Sequence, residues 1–180
     1  MAKNADNLIW LDLEMTGLEP QHHVILEIGC AVTDSQLKLI AEGPVFVISQ
    51  PENVLASMDP WCIDQHGKSG LTEKARRSQI SLAEAEEKTL EFLRHYCVEK
   101  VSPLCGNSIG QDRRFLEKYM PKLNGFFHYR NVDVSSIKEL ARRWYPPGDQ
   151  APEKNKTHHV LDDIRESIAE LQHYRRAIFK

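Results

Sequence analysis

The chain has 180 residues, 41% of them hydrophobic and 27% charged, with a formal net charge of -3 at pH 7. That length suits one domain with its own core, because about 70% of the unfolded chain's surface can be buried at this size. The slight acidity argues against a protein that grips long duplexes, which needs a basic stripe to neutralise many phosphates.

Residues 8–13, LIWLDL, read as a buried strand, and 24–34, VILEIGCAVTD, as a second. LKLIAEG and PVFVIS, near 37–49, continue the pattern, with Gly43-Pro44 as a break between them. Strands joined by short connections predict antiparallel neighbours first. Helical spacing takes over from about residue 61. Ser81 and Glu84 form a capping box that heads a long helix with Leu82, Ala85, Leu90, Leu93 and Cys97 on its apolar face. PLCG, 103–106, reads as a short buried strand, followed by a helix near Gln111–Tyr119. YRNVDV, 129–134, is strand-like, and Val134, Ile137, Leu140, Ala141 and Trp144 then recur at helical spacing. Residues 144–157, rich in proline and polar groups, read as a mobile loop. A last helix carries Ile164, Ile168, Leu171 and Ile178 on one side. The order predicts a single α/β domain over 1–180 with a mixed sheet flanked by helices.

Cys30, Cys62, Cys97 and Cys105 form no CxxC pair, so buried, reduced thiols fit better than a zinc knuckle or a disulfide framework. No apolar run is long enough for a bilayer, and MAKNADNLIW lacks the pattern of a signal peptide, which makes a cytoplasmic location the expectation. Lys/Arg clusters do not exceed short runs such as Arg113-Arg114 and Arg142-Arg143. A nucleic-acid substrate should therefore be short or held through few phosphates.

Acidic residues are the chemical signal. Asp12 and Glu14 lie two apart on a strand and so project to one face. Such a pair can be a solvated strand end, or it can face a ligand at the turn begun by Thr16-Gly17. Asp112 follows a strand and a glycine-containing turn, where α/β sites gather, although an acid in a first helical turn also answers the helix dipole. His158 and Asp163 are five apart at a helix start, and a histidine there can accept a proton from water at neutral pH. Spacing alone leaves His159 and Asp162 equally open. Gathered together, the acids repel one another and call for positive charge. Two divalent cations about 4 Å apart supply it and form a machinery for in-line attack of water on a phosphodiester.

DLEMTGL, GNSIGQDRRFL and the H-x4-D spacing together resemble the three motifs of the DEDDh class of 3′-to-5′ exonucleases, and within that class the oligoribonuclease family. The likeness also covers FHYRNVDVSSIKELARRWYP and DDIRESIAEL, from about residue 8 to residue 175. It implies an RNase H-like fold with antiparallel first strands. It implies two Mg²⁺ or Mn²⁺ ions held by Asp12, Glu14, Asp112 and Asp163, with His158 as general base, and so selects His158 over His159 and Asp163 over Asp162. It implies short single-stranded RNA and dinucleotides as substrates, with 5′-mononucleotides as products. Leu18 and Trp61 would wedge and stack the bases with His66 nearby, and Ser108, Ser135 and Arg130 would cap a terminal phosphate. It implies a homodimer in which His128, Tyr129 and Arg130 reach the partner's site and Tyr129 serves it. Two other readings compete: an exonuclease that trims or proofreads longer RNA or DNA, and a binding module that keeps the pocket without catalysis.

Overall fold

A computed structural model of the chain describes residues 3–147, 150–151 and 159–179. Its elements run β1 (Leu8–Met15), β2 (Ile25–Thr33), β3 (Leu39–Val47), α1 (Glu52–Leu55), α2 (Pro60–Lys68), α3 (Leu71–Arg77), α4 (Leu82–Tyr96), β4 (Leu104–Gly106), α5 (Gly110–Tyr119), α6 (Pro121–Phe126), β5 (Asn131–Asp133), α7 (Val134–Trp144) and α8 (Val160–Ala177). The strands form one mixed sheet in the order β3-β2-β1-β4-β5. The β1–β2 and β2–β3 pairs are antiparallel, and β1–β4 and β4–β5 are parallel.

Alternation along β1 divides the core in two. Ile9, Leu11 and Leu13 join Ile28, Cys30 and Val32 under Leu90, Leu93, Phe115 and Leu116 of α4 and α5. Trp10 faces the other way, with Ala31 and Cys105, under Val134 of α7 and Ile164, Ile168 and Leu171 of α8. Helices cover both faces, which explains why all nine residues of β2 are buried and its sequence is almost continuously apolar. The cysteines are all free and buried, as their spacing implies.

The structure refines several boundaries. Gly43-Pro44 does not divide two strands. Gly29 pairs with Val45 and Ala31 with Glu42, so β3 accommodates an extra residue as a bulge. β3 lies at the sheet edge, where proline costs no ladder bond. Helical structure starts before residue 61, with α1. Ile178 lies past the end of α8, and Tyr174 completes the buried side of that helix instead. On α7, Val134 and Ala141 are buried, but Leu140 and Trp144 face solvent. Ser81 Oγ accepts from the Glu84 N–H at 3.2 Å and caps α4, as its sequence signature predicts. The segment read as a mobile loop falls largely outside the described residues.

Candidate active site

The site forms where apolar β1 becomes acidic. Trp10, Asp12 and Glu14 share a face of the strand. Trp10 is sealed beneath α8, and the same helix continues over Asp12 and Glu14. Gly29 pairs with Asp12 across the ladder, and a Cβ there would lie 2.6 Å from Val160 Cγ2. The missing side chain lets the first residue of α8 rest on the sheet, and Asp163 follows within the first turn. Asp12, Glu14 and Asp163 each bring a carboxylate oxygen within 4.8 Å of the others.

Asp112 enters from another direction. β4 is three residues long and pairs with β1 only at Ile9 and Trp10, so the ladder on that side of β1 stops short of Leu13. Asp112, in the first turn of α5, accepts the Leu13 N–H at 3.0 Å. One carboxylate thus completes the hydrogen bonding of the strand that carries two others. Burial pushes the Asp112 carboxyl well above the usual range, against the pull of its backbone hydrogen bonds. Glu14 is pushed up to about 8, first by burial and then by Asp163, Glu27 and Asp112. These groups face one another across the carboxyl ends of the parallel strands, where ligands bind in α/β sheets. An all-oxygen donor set with raised carboxylate pKa values fits hard divalent cations, whose charge offsets the repulsion.

His66, on α2, lies behind the acids and is 1% exposed. Its Nε2–H donates to the Met15 carbonyl at 2.8 Å, since a carbonyl oxygen can only accept. Its Nδ1 is 3.9 Å from Glu14 Oε2. Leu18 and Trp61 occupy the rim, 62% and 63% exposed. A close approach brings their segments together: a Cβ on Gly17 would lie 2.5 Å from Asp59 Oδ2 and 2.6 Å from the His23 ring. The Asp59 N–H also donates to Thr16 O at 2.9 Å, fixing the start of α2 to the turn after β1.

Ser108, in the turn between β4 and α5, and Ser135, at the start of α7, meet with hydroxyl oxygens 3.1 Å apart. Ser108 has φ 51°, in the left-handed region, at a cost on the order of 1–2 kcal/mol for a residue with a Cβ. Asp133 Oδ1 holds it there by accepting the N–H groups of Ser108 at 2.9 Å and Ser135 at 3.0 Å. Tyr129 is 72% exposed, and the Arg130 guanidinium lies 5.2 Å from its ring centre. His158 lies outside the described residues; it immediately precedes His159, the N-cap residue of α8.

Three further residues belong to this region. Glu27 stands opposite Glu14 in the ladder, buried, and burial raises its pKa while Lys74 and His159 oppose the rise. A lone acid within the apolar VILEIGC run is its sequence signal. Asp133 is signalled only by its N-cap spacing to Ser135. Arg113 carries no signal beyond its neighbour Asp112.

A mixed five-stranded sheet with acids at the carboxyl ends of its parallel strands defines an RNase H-like exonuclease architecture. Residues 9–171 match the exonuclease family typified by RNase T. Oligoribonucleases of Marinobacter nauticus and Colwellia psychrerythraea are 59% and 58% identical, with 98% and 100% of this chain and 98% and 99% of theirs aligned. The structure also resembles E. coli exonuclease I in complex with a dA16 oligonucleotide, at a TM-score of 0.74 and 15% identity over 96% of this chain. Exonuclease I of Methylocaldum szegediense gives a TM-score of 0.71 at 18% identity over 97% of this chain. The chain spans 41% of the length of each of these two structures. It belongs to the oligoribonuclease family of exonucleases. Its chemistry is that of a nuclease, the hydrolysis of phosphodiesters.

Proposed function

We propose that this chain, acting as one exonuclease domain, removes 5′-mononucleotides from the 3′ end of very short RNAs, dinucleotides included. The observation that carries the reading is the convergence of Asp12, Glu14 and Asp163, with Asp112 bonded to the strand between the first two. Those four residues hold two Mg²⁺ or Mn²⁺ ions. When bound, such a pair lowers the pKa of an attacking water and takes up charge on the leaving oxygen. The protein's own part is to fix the acids on one strand and two helix starts. His158 accepts the proton of the attacking water. His66 supports Glu14 and the end of β1 from within. Leu18 and Trp61 stack the bases without regard to sequence, at about 1–3 kcal/mol per base. Ser108, Ser135 and Arg130 bind the terminal phosphate.

Surface charge supports a short substrate. Among the described residues, Arg76, Arg114, Arg143 and Arg165 are each engaged by carboxylates of the same chain, which makes them less available to a long phosphate backbone. The exposed Tyr129, Leu140 and Trp144 support a homodimer in which Tyr129 serves the partner's site. No helix among the described residues is long and apolar enough to cross a membrane. Four buried, free cysteines suit a reducing compartment such as the cytoplasm.

The test is a series of 5′-phosphorylated RNAs, from dinucleotide through pentamer to twenty-mer, assayed with Mg²⁺ and with chelator. Hydrolysis should be fastest on the dinucleotide, release nucleoside 5′-monophosphates and stop with chelator. A rate that climbs with length would favour a trimming enzyme for longer chains. Undiminished turnover by Asp112→Asn would refute the assigned centre.

A further inference from the structure

Asp112 and Arg113 are consecutive on α5, yet they serve different parts of the molecule. Asp112 turns to β1. Arg113, half-buried, sends Nη1 to the carbonyl oxygens of His128 and Tyr129, at 3.0 and 3.2 Å, and to Asn131 Oδ1 at 2.5 Å. Three acceptors from one turn thus converge on a single guanidinium nitrogen. The turn has its own supports: the Arg130 N–H donates to His128 Nδ1 at 3.1 Å, and the His128 and Tyr129 rings lie 4.4 Å apart. Its ends are fixed without Arg113, by the His128 N–H donating to Ser102 O at 2.9 Å and by Asn131 opposite Leu104 in the ladder; at Tyr129, between those ends, Arg113 Nη1 donates to the carbonyl, while the Tyr129 side chain stays exposed.

Desolvation lowers the Arg113 pKa, so burying this charge is costly, and the carbonyl and amide oxygens are its compensation. A surface arginine with no task would be spared that cost. The fork itself is not used here, since all three acceptors lie on Nη1; what the arginine brings is a planar, weakly hydrated group at the end of its stem, where a lysine ammonium would be more costly to strip of water.

We propose that Arg113 is a positioning residue for the neighbouring subunit's active site: it sets the 128–131 turn so that Tyr129 is presented across the dimer interface. This rests on the reading that Tyr129 acts in the partner's site. The start of α5 then carries one residue for each of two sites, Asp112 for its own and Arg113 for the other.

Mixed dimers test this directly. Each variant is co-expressed with Asp112→Ala under a second affinity tag, and dimers that hold both tags are isolated. The Arg113→Ala homodimer should lose about 10- to 100-fold in turnover of a dinucleotide, the penalty of a misplacement of roughly 1 Å. In the mixed dimer the Arg113→Ala subunit keeps its own four acids and receives Tyr129 from the Asp112→Ala subunit. One complete site forms, and about half the native activity per dimer should return. If Arg113 acted only on its own subunit, the mixed dimer would stay inactive and the proposal would fail. Native turnover by the Arg113→Ala homodimer would also overturn it. Tyr129→Ala mixed with Asp112→Ala is the control. Recovery there without recovery for Arg113→Ala removes Arg113 from the role but leaves Tyr129 in it. No recovery in either mixture removes the reading of Tyr129 itself. Should Arg113→Ala fail to fold as a dimer, Arg113→Met, which keeps the apolar stem and removes every donor, is put through the same mixtures and judged by the same outcomes.

Discussion

The acidic centre and the rim around it are built on opposite principles. Asp12 and Glu14 stand on the middle strand of the sheet, with both neighbours paired and helices on both faces. Leu18, Trp61 and Tyr129 stand on turns and a short helix, and each is more than half exposed. The centre owes its geometry to sheet register, so a shift of one residue would turn both acids into the opposite layer. The rim owes its geometry to a few close contacts, such as Asp59 against Gly17 and Arg113 against Tyr129 O. On the proposed function, chemistry is placed by the core, and choice of substrate by contacts that can change without disturbing it.

Breaking the centre should have the largest effect. Asp12→Asn or Glu14→Gln should cut dinucleotide turnover by about 10³-fold or more, as for loss of a charge-stabilising group in a closed site. Melting temperatures measured in chelator should stay level or rise, because each change removes one carboxyl from a crowded acidic cluster, and Glu14→Gln also removes a group that burial penalises when charged. A variant that melts early would mean that these acids hold the fold rather than the reaction.

Breaking the rim should look different. Trp61→Ala should raise KM by about 10- to 100-fold, the worth of one stacked base, with kcat and stability nearly unchanged. A fall in kcat at constant KM would place Trp61 with the chemistry instead.

Gly29→Ala lies between the two regimes. Its Cβ meets Val160 at 2.6 Å and should lift the start of α8 from the sheet. A loss of about 1–3 kcal/mol in urea unfolding is expected, together with weaker cation binding, because Asp163 moves with the helix. Stability and cation affinity both at native values would show that the helix start does not depend on this close approach.

The pH dependence of the metal-free protein is a finer measure. Glu14 titrates near 8 in the fold and near 4.5 in the unfolded chain, so between those values the fold holds the extra proton. Unfolding should become easier as pH rises through that window, by at most about 1.4 kcal/mol per pH unit for this group. Melting temperatures in chelator should fall from pH 5 to pH 8, and Glu14→Gln should flatten the trend. A melting temperature that rises over the same range in both proteins would show that other groups dominate.

The sequence revealed the centre more fully than the rim. Strand alternation puts Asp12 and Glu14 on one face whatever the rest of the fold does, and the capping box at Ser81 marks the start of α4 unaided. The bond from Asp112 to Leu13 needed the structure, because it depends on how early β4 ends. Spacing could not choose between Asp162 and Asp163; the structure puts Asp163 with the strand acids, while Asp162 pairs with Arg165. Gly43-Pro44 reads in sequence as a break where the edge strand has only a bulge, since glycine and proline signal an interrupted ladder without saying by how much. The exposed Leu140 and Trp144 look in sequence like any other core stripe, because periodicity reports an apolar face and not what covers it.

Whether remote carboxylates share cations decides if Asp12, Glu14, Asp112 and Asp163 are one working centre. Calorimetric titration of Mn²⁺ into the native protein and into Asp163→Asn at pH 7.5 addresses this most directly. Native protein should bind Mn²⁺ with release of protons from the raised carboxyls, and Asp163→Asn should bind at least about 10-fold more weakly. Equal affinity in the two proteins, with no proton release, would contradict a shared centre.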